Sequence, residues 1–317
     1  MKALILGING QDGSYLADIL LGNDWEVHGL HRRSSINNLE RIQPILSKVT
    51  LHRGDLTDIC SLVKVISEVK PDVIYNEADQ DDAGWSFKTP MQSMEVTSGA
   101  VMSLLEVVRL HSPHSRFFQP LSATMFGDAP APQDESTPFN PLSPYACAKV
   151  AAYYVCRYYR QVHKMFVSTA TLYNHDSPRR GDGYLLQYLS RSAVRISRGE
   201  QENLPIGCPE MVVDIGFAKE YMQGAYQIMK LPTPDDFVLG TGHGFTIQSL
   251  AEDALREAGQ SPNLIVPNPD FQRLDTHSSL VADTRKSKYL FGFRPFVTAN
   301  MLVRSLVGHH KEHLPCE

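Results

Sequence analysis

Short apolar segments alternate with longer amphipathic segments through the first half of the chain. Lys2 to Leu6 has the length of a buried strand, and glycines follow it at once. Apolar residues from Tyr15 to Leu20 then recur at helical spacing. This alternation is typical of βαβ units around a large, mostly parallel sheet. The later predicted strands are Trp25–Leu30, Val49–His52, Val73–Tyr75, Arg116–Gln119 and Phe166–Leu172.

The alternation weakens from about Asn174, where turns rich in proline and glycine become frequent. One exception is Phe237 to Leu239, which predicts a last strand of the same sheet, followed by a helix from Ile247 to Ala258. We therefore predict an α/β protein with a Rossmann-like, doubly wound parallel sheet over residues 1–173. Residues 174–317 are expected to form mainly a smaller C-terminal substrate-binding domain that acts as a lid.

Composition and charge exclude several classes of protein. The 317 residues include 30 basic and 35 acidic side chains, so no global positive field is present to hold a nucleic acid. No apolar segment is long enough to span a membrane, and the N-terminal one is too short for a signal peptide. The five cysteines form no CxxC pair, which argues against a zinc site or a disulfide framework. We expect a cytoplasmic protein without nucleic-acid or membrane partners.

The sequence GINGQDG directly follows the first strand and opens the first helix, which is the context of a dinucleotide-binding turn. Gly7 permits the turn, Gly10 lets a pyrophosphate approach the backbone, and Gly13 lets the helix pack on the strand. Arg32 and Arg33 follow the second strand, where an acidic residue would bind a ribose hydroxyl. They indicate either a pocket for the 2′-phosphate of NADP or a solvated basic loop.

Tyr145 and Lys149 lie one helical turn apart, after the helix-opening pair Ser143 and Pro144. A lysine in that place can lower the pKa of the phenol, so that Tyr145 acts as an acid or base near neutrality. A tyrosine and a lysine at this spacing are common by chance. The spacing indicates an acid–base pair here because it follows a nucleotide-type βαβ half.

The chain resembles the extended short-chain dehydrogenase/reductases, and within them the GDP-mannose 4,6-dehydratases. The resemblance covers nearly the whole chain and is carried by GINGQDGSYLADILL, EVHGLHRRSS, GDLTD, PDVIYN, SPYACAK, NHDSPRRG and ADTRKSKYLFGFRP. It implies a GDP-sugar ligand and a homodimer or homotetramer. It also implies cofactor contacts from Asp55 of GDLTD, and substrate contacts from Asn174, Arg180 and Arg273.

One segment departs from the small, neutral residues of this family. Four carboxylates, Glu77, Asp79, Asp81 and Asp82, follow the fourth strand, where the nicotinamide end of the cofactor is expected. An unpaired buried charge there costs several kcal/mol, so either the redox cofactor does not bind productively or a cation is bound. We predict a Mg²⁺ or Mn²⁺ site made by these carboxylates, with His175 as a further possible ligand. The alternative is a solvated acidic loop.

A second departure follows the fifth strand. Ser122 can replace the hydroxyl of the family's catalytic threonine, but Thr124 stands where the family has a catalytic glutamate. A neutral hydroxyl cannot take the C5 proton that elimination of water requires. Ordinary 4,6-dehydration is therefore not expected, and Tyr145, Lys149 and Ser122 are the predicted catalytic side chains.

These departures lead us to predict a metal-assisted isomerase that needs no net redox chemistry. It would be a mutase interconverting the pyranose and furanose forms of a GDP-hexose, GDP-L-galactose being the hexose suspected. NAD(P) could bind but would not serve the chemistry. Two alternatives stay open. One is an NADP-dependent reductase, epimerase or dehydratase, and the other is a non-catalytic GDP-sugar-binding protein.

Overall fold

The computed structural model describes residues 1–35, 37–268 and 279–315. Its main feature is a seven-stranded sheet in the order β10-β6-β5-β4-β1-β2-β3, in which every neighbouring pair is parallel. The order reverses between β1 and β4. The strands are β1 (Lys2–Leu6), β2 (Glu26–His31), β3 (Val49–Arg53), β4 (Val73–Asn76), β5 (Arg116–Ser122), β6 (Val167–Leu172) and β10 (Asp236–Leu239).

Helices cover both faces of this sheet, as a doubly wound fold requires. One apolar layer packs beneath α1, the 3-10 helix Glu40–Lys48 and α8, and the other beneath α2, α5 and α6. The short helices α3 and α4 and a π-helical turn, Glu95–Gly99, precede α5. The helices are α1 (Gln11–Leu21), α2 (Ile59–Val69), α3 (Ala83–Ser86), α4 (Pro90–Met94), α5 (Ala100–His111), α6 (Pro144–Gln161) and α8 (Ala218–Ile228).

The later part of the chain builds a separate apolar core, in which three helices pack together against short strands. Strand β9 pairs with β7, β11 and β13, and β8 pairs with β12. The remaining strands and α-helices of the chain are β7 (Asn174–Asp176), α7 (Leu185–Ser197), β8 (Leu204–Ile206), β9 (Val212–Phe217), β11 (Gly244–Thr246), α9 (Ile247–Glu257), β12 (Ile265–Pro267), β13 (Ser279–Leu280), α10 (Arg285–Phe291) and α11 (Ala299–His313). Of these, α10 contacts β10 of the first sheet.

The predicted α/β class and Rossmann-like parallel sheet are confirmed. The first six strands lie within one to three residues of the predicted ones, and the strand expected at Phe237 to Leu239 is β10, which pairs with β6. Across the described ranges, no helix combines the length and the apolar character needed to cross a membrane. The division of the chain at residue 173 stays a prediction.

Candidate active site

A crevice of about 930 Å³ opens at the carboxyl ends of the sheet strands. Its floor includes the residues that follow β1, β4, β5 and β6, and its far wall comes from β7, β8, β9 and α7. In open parallel sheets, ligands bind where the strand order reverses, and here that place lies between β1 and β4. The crevice is therefore the candidate ligand site.

The glycine turn after β1 has the predicted geometry. Gly7 has a φ of +78°, and a Cβ atom there would lie 2.8 Å from the carbonyl oxygen of Glu77. A Cβ at Gly13 would lie 2.3 Å from the carbonyl oxygen of Gly7, so only glycine lets the helix approach the strand this closely. Gly10 caps α1 without a side chain and lines the crevice with Gly7. The first turn of α1 thus faces the crevice with backbone N–H groups suited to phosphate.

Arg32 and Asp55 line the crevice, whereas Arg33 does not, although both arginines are exposed. Partial burial opposes ionisation of Asp55, but hydrogen bonds from Thr57 and the charge of Arg32 lower its pKa on balance. The cofactor role predicted for Arg33 stays a prediction. Its neighbour Arg32 is the better placed of the two cations.

Tyr145, Lys149 and Ser122, the three predicted catalytic residues, lie together on the wall of the crevice. Ser143 caps α6 by accepting a hydrogen bond from the backbone of Ala146, and this places Tyr145 and Lys149 in the first two turns. Both side chains are buried, and the hydroxyl of Ser122 is hydrogen-bonded to the phenol. The arrangement can exchange a proton with an oxygen bound in the crevice.

The charge around the phenol differs from the prediction. The pKa of Tyr145 is raised to about 12, chiefly by burial. Lys149 acts in the opposite direction, the nearby carboxylates of Asp79 and Asp81 add to the rise, and the hydrogen bond with Ser122 lowers it. The effect of Lys149 is smaller than that of burial, and its ammonium is already paired. Its Nζ lies 2.6 Å from Oδ2 of Asp79 and donates to the carbonyl oxygen of Pro120 at 2.9 Å.

The predicted metal site is wrong, because three of its carboxylates already have protein partners. Asp79 pairs with Lys149, Asp81 accepts from Arg180 at 3.1 Å, and Asp82 accepts from the backbone of Trp85 as the cap of α3. No group of three or more His, Cys, Asp or Glu side chains suited to a metal ion occurs within the described ranges.

The other two predicted ligands are equally unsuited to a cation. His175 Nε2 lies 2.9 Å from Oδ2 of Asp12. Burial raises the pKa of Glu77 to about 8, with Asp12 adding to the effect, so its carboxyl group favours the neutral form at pH 7. Within the acidic segment, Asp79 and Asp81 are therefore paired with protein cations, Glu77 favours its neutral form, and Asp82 serves as a helix cap.

The opposite wall carries the predicted substrate contacts. Asn174 and Arg180 line the crevice, and the Arg180 guanidinium lies 3.5 Å from the centre of the Tyr184 ring. Arg273 lies outside the described residues. Arg41 was missed by the sequence analysis, although it lines the crevice and donates to the backbone oxygens of Asn9 and Arg179.

Asp12 and Thr97 were missed as well. Asp12 lies inside the glycine motif and could have been singled out as an acidic residue beside a phosphate-binding turn. Thr97 lies in the π-helical turn and donates to Oδ1 of Asp79 at 2.5 Å. No spacing pattern in the sequence signals this contact.

The sheet order, the glycine turn and the buried tyrosine–lysine pair define a protein of the extended short-chain dehydrogenase/reductase type. Residues 4–306 match the family model described as GDP-mannose 4,6 dehydratase, and the chain belongs to that family. The chain is 36% identical to GDP-mannose 4,6 dehydratase 2 of Arabidopsis thaliana, covering 98% of this chain and 87% of the relative. It is 32% identical to the GDP-mannose 4,6-dehydratase of Vibrio cholerae, covering 96% and 92%.

Solved structures share the fold at lower identity. The UDP-glucose 4-epimerase of Thermotoga maritima, solved with UDP-glucose, has a TM-score of 0.88 at 20% identity, covering 99% of this chain and all of that one. The dTDP-glucose 4,6-dehydratase of Bacillus anthracis, solved with NAD, has a TM-score of 0.86 at 19% identity, covering 99% and 97%.

The predicted mutase is wrong, and with it the predicted isomerase class. Relatives 32% and 36% identical over nearly the whole chain are named dehydratases. The prediction that NAD(P) takes no part in the chemistry and that a metal does is also wrong. It rested on an unpaired charge at Asp79, and Lys149 compensates that charge.

Proposed function

We propose that the chain is an NADP(H)-dependent enzyme that transfers a hydride at a GDP-linked hexose, as expected of a member of the GDP-mannose 4,6-dehydratase family. The observation that carries the proposal is the placement of Tyr145, Lys149 and Ser122 in the crevice that also contains the glycine turn. The homo-oligomeric state and the cytoplasmic location stay predictions.

The residues present fit a dinucleotide. The glycine turn brings the backbone of Gly7 and Gly10 to the crevice, and the first turn of α1 offers N–H donors to a pyrophosphate. Arg32 in the crevice, with no carboxylate directly after β2, favours the 2′-phosphate of NADP. When bound, the nicotinamide supplies the hydride donor and acceptor.

The names of the relatives support a GDP-hexose as the substrate. Arg180 is the described cation best placed for its diphosphate, because the guanidinium lies inside the crevice and is fixed by the Tyr184 ring. Its ion pair with the half-exposed Asp81 can be exchanged for a phosphate oxygen. Asn174 offers an amide to the same ligand.

Each catalytic side chain has a distinct role in this proposal. Tyr145 exchanges its phenolic proton with the oxygen on the reacting carbon, Ser122 donates a second hydrogen bond, and Lys149 orients the pair. All three groups lie on the wall of one crevice, so they can act on one bound sugar.

A second candidate is a reductase of a GDP-linked 4-keto-6-deoxyhexose. It is favoured by Thr124, whose Oγ1 lies 2.9 Å from the hydroxyl of Ser122 in the place where the family has its catalytic glutamate. Reduction of a ketone needs a proton donor but no base for a C–H proton. Dehydration needs both a proton donor and a base for the C–H proton.

The test compares two reactions of the purified chain. One contains GDP-mannose with NADP⁺, and the other contains a GDP-linked 4-keto-6-deoxyhexose with NADPH. We expect turnover in at least one, and Tyr145→Phe should lower kcat by about 10² to 10⁴-fold. Tyr154→Phe, an exposed tyrosine on the same helix, is the matched control and should retain activity. Lack of turnover and of NADPH binding would overturn the proposal.

A further inference from the structure

Asp79 and Lys149 form an almost fully buried ion pair in the crevice wall. The two side chains are 11% and 4% exposed, and their charged atoms are 2.6 Å apart. A carboxylate in this place is one of the two departures from the family pattern described above. A buried pair of this kind is strongly sensitive to loss of one partner, because the remaining charge is left without compensation.

Asp79 is itself held by two further donors. Thr97 is 1% exposed, and its hydroxyl donates to Oδ1 at 2.5 Å, while the backbone N–H of Gln80 donates to the same oxygen at 2.8 Å. Thr97 lies in the π-helical turn before α5, and such turns occur frequently at functional sites. The carboxylate thus has one oxygen fixed by the scaffold and the other directed to Lys149.

The ion pair changes the electrostatic environment of the Tyr145 phenol. Four groups face the phenol. Lys149 lies on its own helix, Asp79 and Asp81 lie in the segment after β4, and Ser122 ends β5. Without Asp79, the attraction of the ammonium for a phenolate would lose its nearest counter-charge. Asp79 partly offsets that attraction, and together with burial it favours the protonated phenol.

We propose that Asp79, held by Thr97, is a positioning residue that fixes the Lys149 ammonium and keeps Tyr145 as a proton donor toward the carbonyl oxygen of a GDP-linked keto sugar. This inference rests on the proposed function and selects its reductive direction. The carbonyl carbon gains a hydride from the reduced dinucleotide, which is oxidised. The carbonyl oxygen gains the phenolic proton, and the phenolate left on Tyr145 is reprotonated from water.

The first test needs neither cofactor nor substrate. Protein labelled with ¹³Cζ-tyrosine is titrated by NMR, and the Tyr145 signal is assigned by its loss in Tyr145→Phe. We expect Asp79→Asn to lower the titration midpoint of Tyr145 by about one pH unit or more, because a negative charge is removed beside the phenol. Thr97→Val should cause a smaller shift in the same direction, and Thr97→Ser should restore the wild-type midpoint.

The matched control is Asp236→Asn. Asp236 pairs with Arg160, their side chains are 19% and 14% exposed, and neither lines the crevice. This variant tests whether the loss of any buried ion pair changes the titration midpoint of Tyr145, and we expect no change. If Asp79→Asn does not fold, Thr97→Val carries the test. An unchanged Tyr145 midpoint in the Asp79 and Thr97 variants that fold would overturn the proposal.

A second arm measures rates across pH in both directions. The reductive rate of the wild type should be flat from pH 6 to 9, and the oxidative rate should rise about tenfold per pH unit, because only the phenolate accepts a proton. In Asp79→Asn the oxidative rate at pH 8 should rise relative to the reductive rate. An unchanged ratio would contradict the inference. Absence of wild-type turnover in both directions would instead count against the proposed function, while the NMR result still tests Asp79.

Discussion

His175 on β7 and Asp12 on α1 form an ion pair that joins the later part of the chain to the glycine turn. Nε2 and Oδ2 are 2.9 Å apart, and the two side chains are 12% and 18% exposed. Burial opposes the charge of His175, but Asp12 outweighs it, so the histidine pKa is raised. Burial likewise opposes ionisation of Asp12, and His175 followed by Arg180 lowers its pKa on balance.

The pair predicts a specific dependence of stability on pH. The raised pKa of His175 means that its stabilisation is complete below the ordinary histidine pKa, about 6.5, and is lost as pH rises through the raised value. The lowered pKa of Asp12 means that its contribution is present above about pH 4 and is lost on further acidification. His175→Gln should cost about 3 kcal/mol at pH 6 and clearly less at pH 9.

Urea unfolding at the two pH values measures this difference. His114→Gln, at an exposed histidine, is the control and should show no such dependence. An equal loss of unfolding free energy for His175→Gln at both pH values would show that the pair is not charged in the folded protein.

Arg32 and Arg33 provide a second prediction, because only the first lines the crevice. Arg32→Ala should weaken NADPH binding by about tenfold, equivalent to about 1.4 kcal/mol, and should affect NADH binding little. Arg33→Ala is the matched control and should change both affinities less. Fluorescence titration of each variant with NADPH and with NADH gives the four dissociation constants. A larger effect at Arg33 would assign the 2′-phosphate to that arginine instead.

Thr124 leads to a prediction about dehydration, the reaction for which the chain lacks the family's base. Thr124→Glu places a carboxyl group beside Ser122, where the family has its base. A general base contributes about 10² to 10⁴-fold to a proton transfer, so the variant should gain at least about 10²-fold in release of water from GDP-mannose. Thr124→Gln has nearly the same size but no base, and it should show no gain. Equal rates for the two variants would contradict a limiting base.

Removal of metal ions gives a fourth prediction. Dialysis against EDTA should leave activity and thermal stability unchanged, because Asp79 and Asp81 are already paired with Lys149 and Arg180. Asp82→Ala should cost about 1 kcal/mol through loss of the α3 cap without altering Mn²⁺ binding. A loss of activity on dialysis that Mn²⁺ restores would contradict this account.

Local patterns in the sequence predicted the features that depend on neighbouring residues. The strand–glycine–helix unit at Gly7 to Gly13 and the spacing of Tyr145 and Lys149 are fixed within one or two helical turns. Ser122 was also placed correctly with them, because the carboxyl ends of parallel strands meet at one edge. These parts of the crevice follow from chain periodicity and topology.

Charge pairing could not be predicted in the same way. Asp79 and Lys149 are brought together from the end of β4 and from α6, and Asp12 and His175 from α1 and β7. A sequence shows that four carboxylates are close to one another, but it does not show which cations other elements direct toward them. The metal prediction failed for that physical reason. Arg41 and Thr97 could not be predicted as site residues, because their partners are backbone or carboxyl oxygens far along the chain.

The return of α8 and β10 to the first sheet ties the two parts of the chain together. After building β7 and β9, the chain packs α8 against α1 and then adds β10 beside β6, before it goes back to β11 and α9. A fragment ending at residue 173 would leave Ala170 and Leu172 on a bare sheet edge and would uncover the apolar face of α1. We therefore expect a fragment ending at residue 173 not to fold on its own, and substitutions that unfold the later core to weaken any binding at the glycine turn as well.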